Sequence, residues 1–444
     1  KYTDGLSSEA IAAVVKVMTD DELGTVARRI FNPLPGTEVC IGSQKHFGSR
    51  IQPNSPGDDD TEILLSILEG LAYGCGDVII GLNPASDDVD TIIRLEELLG
   101  SVVERLELPT RYSVLSDIVK QTSARERTRV DVGFQSLAGT SRALMGMVDL
   151  NIDGLLDLAR GFSGLYFETG QGSAVTNDAA EGVDMVTLES RAYGVARLIQ
   201  RQTGSWMIVN DVAGFIGPEV FRSPEQLFRA CLEDTVMAKL HGITMGLDVC
   251  STFHMGIDPA TLNALTARIV EQAAPAYLMA VAGNADPMLG YMTTSFREHP
   301  ELRRLSGRQT TMKMNRFLQS LATSDPAGSL AAVASFYAKY MKAGGDTRSS
   351  DALTVEAERK VRGMQERGFD LGYGVRSDGT APDAVRARMD AIYRNARNAL
   401  YSVVDRSVVR DSSPRHVFVR GLAADRDEFL SHPRSGERIA PGDA

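Results

Sequence analysis

The chain has 444 residues and a formal net charge of −11, with 43% hydrophobic and 24% charged residues. That is ample apolar material for a large buried core, and the acidic balance excludes a broad basic face for a nucleic-acid backbone. There is no run of about 18 apolar residues to cross a membrane, and the opening KYTDGLSSEA lacks the apolar stretch of a signal peptide.

Residues 1–30 read as a helical lead-in whose first residues already look like the start of a helix, so further residues are expected upstream. From there short β-type runs alternate with amphipathic helical stretches. The predicted strands are 37–42 (TEVCIG), 77–83 (DVIIGLN), 112–116 (YSVLS), 130–136 (VDVGFQS), 164–168 (GLYFE), 206–212 (WMIVNDV), 242–249 (GITMGLDV) and 276–281 (AYLMAV). Between them lie TEILLSILEGLAYG, VDTIIRLEELLGSVVERL, SPEQLFRACLEDTVMAKL and DPATLNALTARIVEQAA. The last two open on Ser223-Pro224 and Asp258-Pro259, an N-cap followed by proline in the first helical turn.

This alternation predicts a parallel sheet with helices outside it. Eight repeats in about 250 residues match a closed (β/α)₈ TIM barrel, placed at residues 31–305. An open doubly wound sheet would carry G-x-G-x-x-G after its first strand, whereas this chain has SQKHFGSRIQPN there. Beyond residue 305 the rhythm stops. SLAAVASFYAKYMKA, EAERKVRGMQERGF and VRARMDAIYRNARNALYSVVDRSVV read as helices, HVFVRGL as a short β-type run, and residues 306–444 as a mostly helical C-terminal extension.

In such barrels the active site lies at the carboxyl ends of the strands. The first predicted strand runs into a loop with Arg50 and Gln52, and the second ends at Asn83-Pro84. The fourth ends at Gln135-Ser136, the fifth at Glu168, the sixth around Asn210-Asp211 and the seventh at Asp248, while the eighth contributes Met279. Two carboxylates facing one cavity suit a protonated amine, and Arg50, Gln52 and Asn83 suit a hydroxyl beside it; buried charges are costly unless paired. Taken singly, each residue has a plainer reading. Glu168 could cap the TGQGS turn, Asp248 pair with His241 or Arg229, Asn83 serve a turn, Gln135 satisfy backbone groups, and Arg50 lie on the surface.

Several familiar chemistries lack their residues. There is no H-E-x-x-H, paired histidine or cysteine cluster, so no catalytic metal site is expected. There is no G-x-S-x-G elbow, no lysine at a strand end for an aldolase, and no lysine in TGQGS to make a phosphate loop. His254 reads as structural. Cys40, Cys75, Cys231 and Cys250 are isolated, as expected of reduced thiols in a cytoplasmic protein. Binding groups without a strong nucleophile point to chemistry supplied by a cofactor.

These residues sit in strings that resemble the large, catalytic subunit of ethanolamine ammonia-lyase. They are SRIQPN (49–54), GDVIIGLNP (76–84), LYFETGQGS (165–173), GFIGPE (214–219), LEDTVMAKLHGITMGLDVC (232–250) and the stretch around PMLGYMTTSF (287–296), in the family's order and spacing from roughly residue 1 to 310. The resemblance implies a (β/α)₈ barrel and substrate contacts at Arg50, Gln52, Asn83, Glu168 and Asp248. Glu168, Gln52 and Asp248 would hold the ammonium, and Arg50, Gln52 and Asn83 the hydroxyl. It also implies adenosylcobalamin, with contacts at Pro84, Gln135, Thr176 and Met288, and a cavity walled by Val212, Phe215 and Met279. Thr176 stands where serine is usual, which keeps the hydroxyl.

The implied reaction is radical deamination of ethanolamine to acetaldehyde and ammonia. It starts with homolysis of the cobalt–carbon bond and hydrogen abstraction from the hydroxyl-bearing carbon. Glu168 would manage the migrating ammonia, and Arg50 the charge developing on oxygen. A small subunit and association of large subunits are implied as partners, with no nucleic acid and no membrane; residence in a bacterial microcompartment is left open. The sequence departs from the family in its opening, which lacks the family's N-terminal domain, in STFHMGID after Asp248, and in a longer C-terminal extension. The competing readings are a radical lyase for another small amino alcohol and a non-catalytic barrel that binds ethanolamine or cobalamin.

Overall fold

The computed structural model describes residues 5–366 apart from 37, 177, 215–220, 222, 252–256, 258, 290 and 321–328. The predicted helical segment VRARMDAIYRNARNALYSVVDRSVV, the run HVFVRGL, and the residues Phe215 and His254 lie outside the described residues.

Eight parallel strands form one sheet in the order β3-β2-β1-β8-β7-β6-β5-β4. They are β1 (Gly48–Ile51), β2 (Ile79–Leu82), β3 (Arg111–Val114), β4 (Gly133–Ser136), β5 (Gly164–Thr169), β6 (Trp206–Ala213), β7 (Met245–Val249) and β8 (Tyr277–Ala280). Because β1 pairs with both β2 and β8, the sheet curls into the nearly closed (β/α)₈ barrel that the alternation predicted. Its seam lies between β3 and β4, where side chains replace the ladder. Gln121 donates from Nε2 to the Val114 carbonyl at 2.8 Å and accepts from the Phe134 amide, while Ser113 Oγ donates to the Val132 carbonyl at 2.9 Å. Backbone groups at the seam are thereby satisfied, as buried ones must be.

The first strand differs from the prediction. Residues 38–45 are bends and turns, with Leu34 N bonded to the Ile41 carbonyl, and the strand is GSRI, so Arg50 lies within β1 and Gln52 follows it. The β-prone residues of 37–42 are crowded by Pro33, Pro35 and Gly36, and Gly42 sits at φ 78°, which an L side chain seldom adopts. In GSRI the inward residues are polar or absent, so its β signal is weak.

Alternation divides the core in two. Ile79, Phe134, Tyr166, Ile208 and Tyr277 belong to one buried cluster, which fills the lower barrel. Ile51, Leu82, Val114, Phe167, Val209 and Leu247 belong to another, shared with the surrounding helices. The predicted helix 89–106 is Val89–Leu106, and the one opening at Ser223-Pro224 is Pro224–His241, with the Ser223 hydroxyl accepting from Gln226 N. After the barrel, Leu330–Ala343 packs on Asp60–Ala72, on Val89–Leu106 and on the final described helix, Ser350–Glu366. Among the described residues no helix is long and apolar enough to cross a membrane, and no group of His, Cys, Asp and Glu is arranged to hold a metal.

Candidate active site

The carboxyl ends of β1, β5 and β7, with the loop after β8, bring a polar network into the barrel mouth. Arg50 is 1% exposed, so it is no surface arginine. Its Nη1 donates to Glu168 Oε1 at 2.9 Å and to the Tyr166 hydroxyl at 2.6 Å, and its Nη2 donates to Gln52 Oε1. Tyr166 in turn donates to Glu168 Oε1 at 2.8 Å. Burial works against the charge of Arg50, but Tyr166, Glu168, Tyr291 and Asp248 outweigh it and its pKa is raised. The guanidinium needs a gap in β2: a Cβ at Gly81 would lie 2.8 Å from Arg50 Nε.

Gln52 is fixed in orientation. Its Nε2 donates to Asp286 Oδ2 at 2.8 Å and to the Tyr291 hydroxyl at 2.9 Å, which leaves its carbonyl oxygen toward Arg50 and the cavity. Asp286 also accepts from Asn54 Nδ2 at 2.9 Å, and from the amides of Met288 and Leu289. Asn83 joins through Asn54, whose Oδ1 accepts from Asn83 N at 2.8 Å and whose Nδ2 donates to Asn83 Oδ1 at 3.4 Å.

Asp248 accepts from the Tyr291 hydroxyl at 2.9 Å and from the Thr293 hydroxyl at 2.6 Å. Neither sequence alternative for it holds, since His241 contacts Ser8 and the Met237 carbonyl, and Arg229 contacts Asp20 and Glu233. Burial pushes the Asp248 carboxyl up to about 7, against the opposing pull of Thr293, Arg50 and Tyr291. Burial likewise raises Asp286. Two carboxylates, one guanidinium and an oriented amide oxygen thus face one space. That set can take a small cation carrying a hydroxyl, and the approach of the cation favours the ionised form of Asp248.

The residues assigned to the cofactor lie around this mouth, and Met288 joins the network through its backbone amide. Pro84 and Met288 are half-buried, just past β2 and in the loop after β8. Gln135 is buried with its amide spent on Ile118 N and the Ser136 carbonyl, which matches its plainer reading as a backbone partner. Thr176 ends the short helix Ser173–Thr176. Beside these polar groups, Cys250, Met279, Val281 and Tyr291 form an apolar cluster with Val212 against it.

Sequence reasoning missed Tyr166, Asn54, Asp286, Tyr291 and Thr293. Tyr166 could have been found, because it stands two residues before Glu168 and so shares its face. The others come from loops, where no periodicity marks direction. Of the pair read at the end of the sixth strand, Asn210 faces inward between Ile208 and Val212. Asp211 faces outward, beside Asp234 and Glu189.

A family model described as "Ethanolamine ammonia lyase large subunit" matches residues 1–333. The ethanolamine ammonia-lyase large subunit of Escherichia coli (strain K12) is 36% identical over 329 residues, which cover 71% of this chain and 70% of that one. The corresponding subunit of Salmonella typhimurium is 35% identical over 329 residues, with the same coverage of 71% and 70%.

Proposed function

The chain belongs to the family of ethanolamine ammonia-lyase large subunits, and from that premise we propose that it deaminates ethanolamine to acetaldehyde and ammonia, using adenosylcobalamin and a small subunit. The observation that carries this reading is the pair of buried Arg50 with half-buried Glu168, facing Asp248 across the barrel mouth, with Gln52 oriented between them. Its residues divide naturally between the two ends of an amino alcohol.

The ammonium end fits Glu168, Asp248 and the Gln52 oxygen. All three can accept, and Gln52 cannot donate there because both of its amide hydrogens are engaged by Asp286 and Tyr291. The hydroxyl end fits Arg50 and Asn83. Arg50 is already held by Tyr166 and Glu168, so it offers a preorganised positive group where charge develops on oxygen. Glu168, joined to Arg50 and Tyr166 only through Oε1, keeps Oε2 for the amine as it moves between carbons.

The apolar cluster of Val212, Met279, Val281 and Tyr291 beside these groups, with half-buried Pro84 and Met288 past β2 and β8, fits a large group seated over the mouth. Adenosylcobalamin bound there would supply reversible hydrogen abstraction. The wall's part is to exclude water from a reactive substrate. Gln135, held by Ile118 and Ser136, adds fixed surface more than a free donor.

The test is acetaldehyde release from ethanolamine with a matching small subunit, with and without adenosylcobalamin. Turnover that requires both additions is the expected result. Turnover without the cofactor, or none while a complete ethanolamine ammonia-lyase works in parallel, overturns the proposal. A panel of bulkier amino alcohols run alongside detects a shifted substrate preference.

A further inference from the structure

Among the described residues, one inward-facing amide side chain of the barrel is left without any hydrogen-bond partner. Asn210 stands at the centre of β6, fully buried, and neither its Oδ1 nor its Nδ2 finds a hydrogen-bond partner among the described residues. Other interior amides behave differently: Gln52, Asn54, Gln121 and Gln135 are each hydrogen-bonded. A buried amide with nothing to bind costs free energy that an apolar residue of similar volume would not, and an unsatisfied group inside a folded protein calls for a specific explanation.

Its position gives one. Asn210 pairs in register with Glu168 on β5 and with Gly246 on β7, and Asp248 lies one inward step further along β7. Gly246 brings no side chain to the gap; the Tyr277 ring fills that place, since a Cβ on Gly246 would lie 2.2 Å from it. Glu168, Asn210 and Asp248 therefore follow one another on three consecutive strands, all facing inward, with Asn210 between the carboxylates.

We infer that Asn210 is a further substrate-contacting residue, whose Oδ1 accepts an N–H from the substrate's amino group as that group lies in the arc between Glu168 and Asp248. The inference rests on the proposed reaction. An amine that moves between neighbouring carbons needs acceptors at both ends of its path, and Asn210 supplies a neutral one where a third carboxylate would repel the other two. It forms no covalent bond and transfers no proton.

The test compares Asn210→Leu, which keeps the volume and removes both polar atoms, with Asn210→Asp, which keeps the acceptor. Each is measured for thermal midpoint, for ethanolamine binding by calorimetry without cofactor, and for kcat/KM in the complete enzyme. We expect the leucine variant to be as stable as the parent or more so, with kcat/KM down tenfold or more and weakened binding. The aspartate variant should keep more of both, because a bound ammonium offsets its added charge, but at a lower thermal midpoint than the leucine variant. A leucine variant within twofold of the parent in binding and kcat/KM overturns the inference while leaving the proposed function intact. Loss of folding in both variants overturns it too, by showing that the amide serves the fold. A parent protein that neither binds nor turns over ethanolamine refutes the proposed function itself.

Discussion

Glu168 and Asp248 are both carboxylates at strand ends, but their surroundings set them different tasks. Glu168 is paired with Arg50 and Tyr166, so replacing it with glutamine preserves a hydrogen-bonding shape while removing the charge proposed to steady the moving amine. Glu168→Gln should still fold, with a lowered thermal midpoint because the buried Arg50 loses its charged partner, and should lose turnover by about 100-fold or more, a size usual for a group that acts in the transition state; near-normal kcat would remove it from that role. Asp248 has no cationic partner within ion-pair reach among the described residues, and burial raises it to about 7. A bound ammonium needs the ionised form, so ethanolamine should bind more tightly as pH rises through about 7 and level off above it. In Asp248→Asn that pH dependence should vanish, and affinity should fall by about 2–5 kcal/mol if the pair is buried. Calorimetric titrations from acid to mildly alkaline pH decide both points. These residues were legible in the sequence because each breaks an otherwise apolar strand. Asp286, Tyr291 and Thr293, which fix Gln52 and Asp248, were not: they lie in a loop whose path depends on contacts distant in sequence.

At the level of elements, the barrel was legible from its rhythm, and its errors fall where sheet pairing overrode propensity. The run 37–42 has strand-like residues and forms turns, whereas GSRI has little intrinsic preference and is held by neighbours on both sides, with Arg50 opposite Ile79 and Met279. The β3–β4 seam was likewise invisible, because a glutamine in a helix carries no mark that it completes a sheet. Gln121 is buried and meets the Val114 and Val132 carbonyls and the Phe134 amide. Gln121→Leu should strand the Phe134 amide, at roughly 1–3 kcal/mol, while the Val114 and Val132 carbonyls keep Ser116 N and Ser113 Oγ. Urea unfolding should show a lower midpoint with an unchanged slope. A variant as stable as the parent would mean that the seam closes by other means.

Across the whole molecule the barrel is loaded with buried acid. Glu96, Glu189, Asp211, Asp234, Asp248, Asp286 and Glu298 all have carboxyls raised chiefly by burial, with Glu189, Asp248 and Glu298 reaching about 7. An acid whose folded pKa lies above its unfolded value holds its proton more tightly when folded. Its contribution is fully present below the unfolded value, near 4, and is lost as pH rises through the folded one. Asp77 runs the other way, since His46 and Arg303 overcome the cost of its burial and hold it low, so it contributes above the ordinary carboxylate range and not below. The groups together place maximum stability in the acid range, with a decline that sets in as pH rises above the unfolded value near 4 and continues through about 7. The strongest local source is the triad of Glu189, Asp211 and Asp234 behind β6, where each charge also opposes the others. Asp234→Asn removes one of the three without changing side-chain size. It should raise the thermal midpoint at pH 8 by roughly 1–2 °C for each kcal/mol regained in a chain of this size, and by clearly less at pH 5, nearer the unfolded carboxylate value. A midpoint that shifts equally at both values would show that the effect is packing and not charge, and a parent chain more stable at pH 8 than at pH 6 would mean that these carboxyls ionise in the fold with compensation.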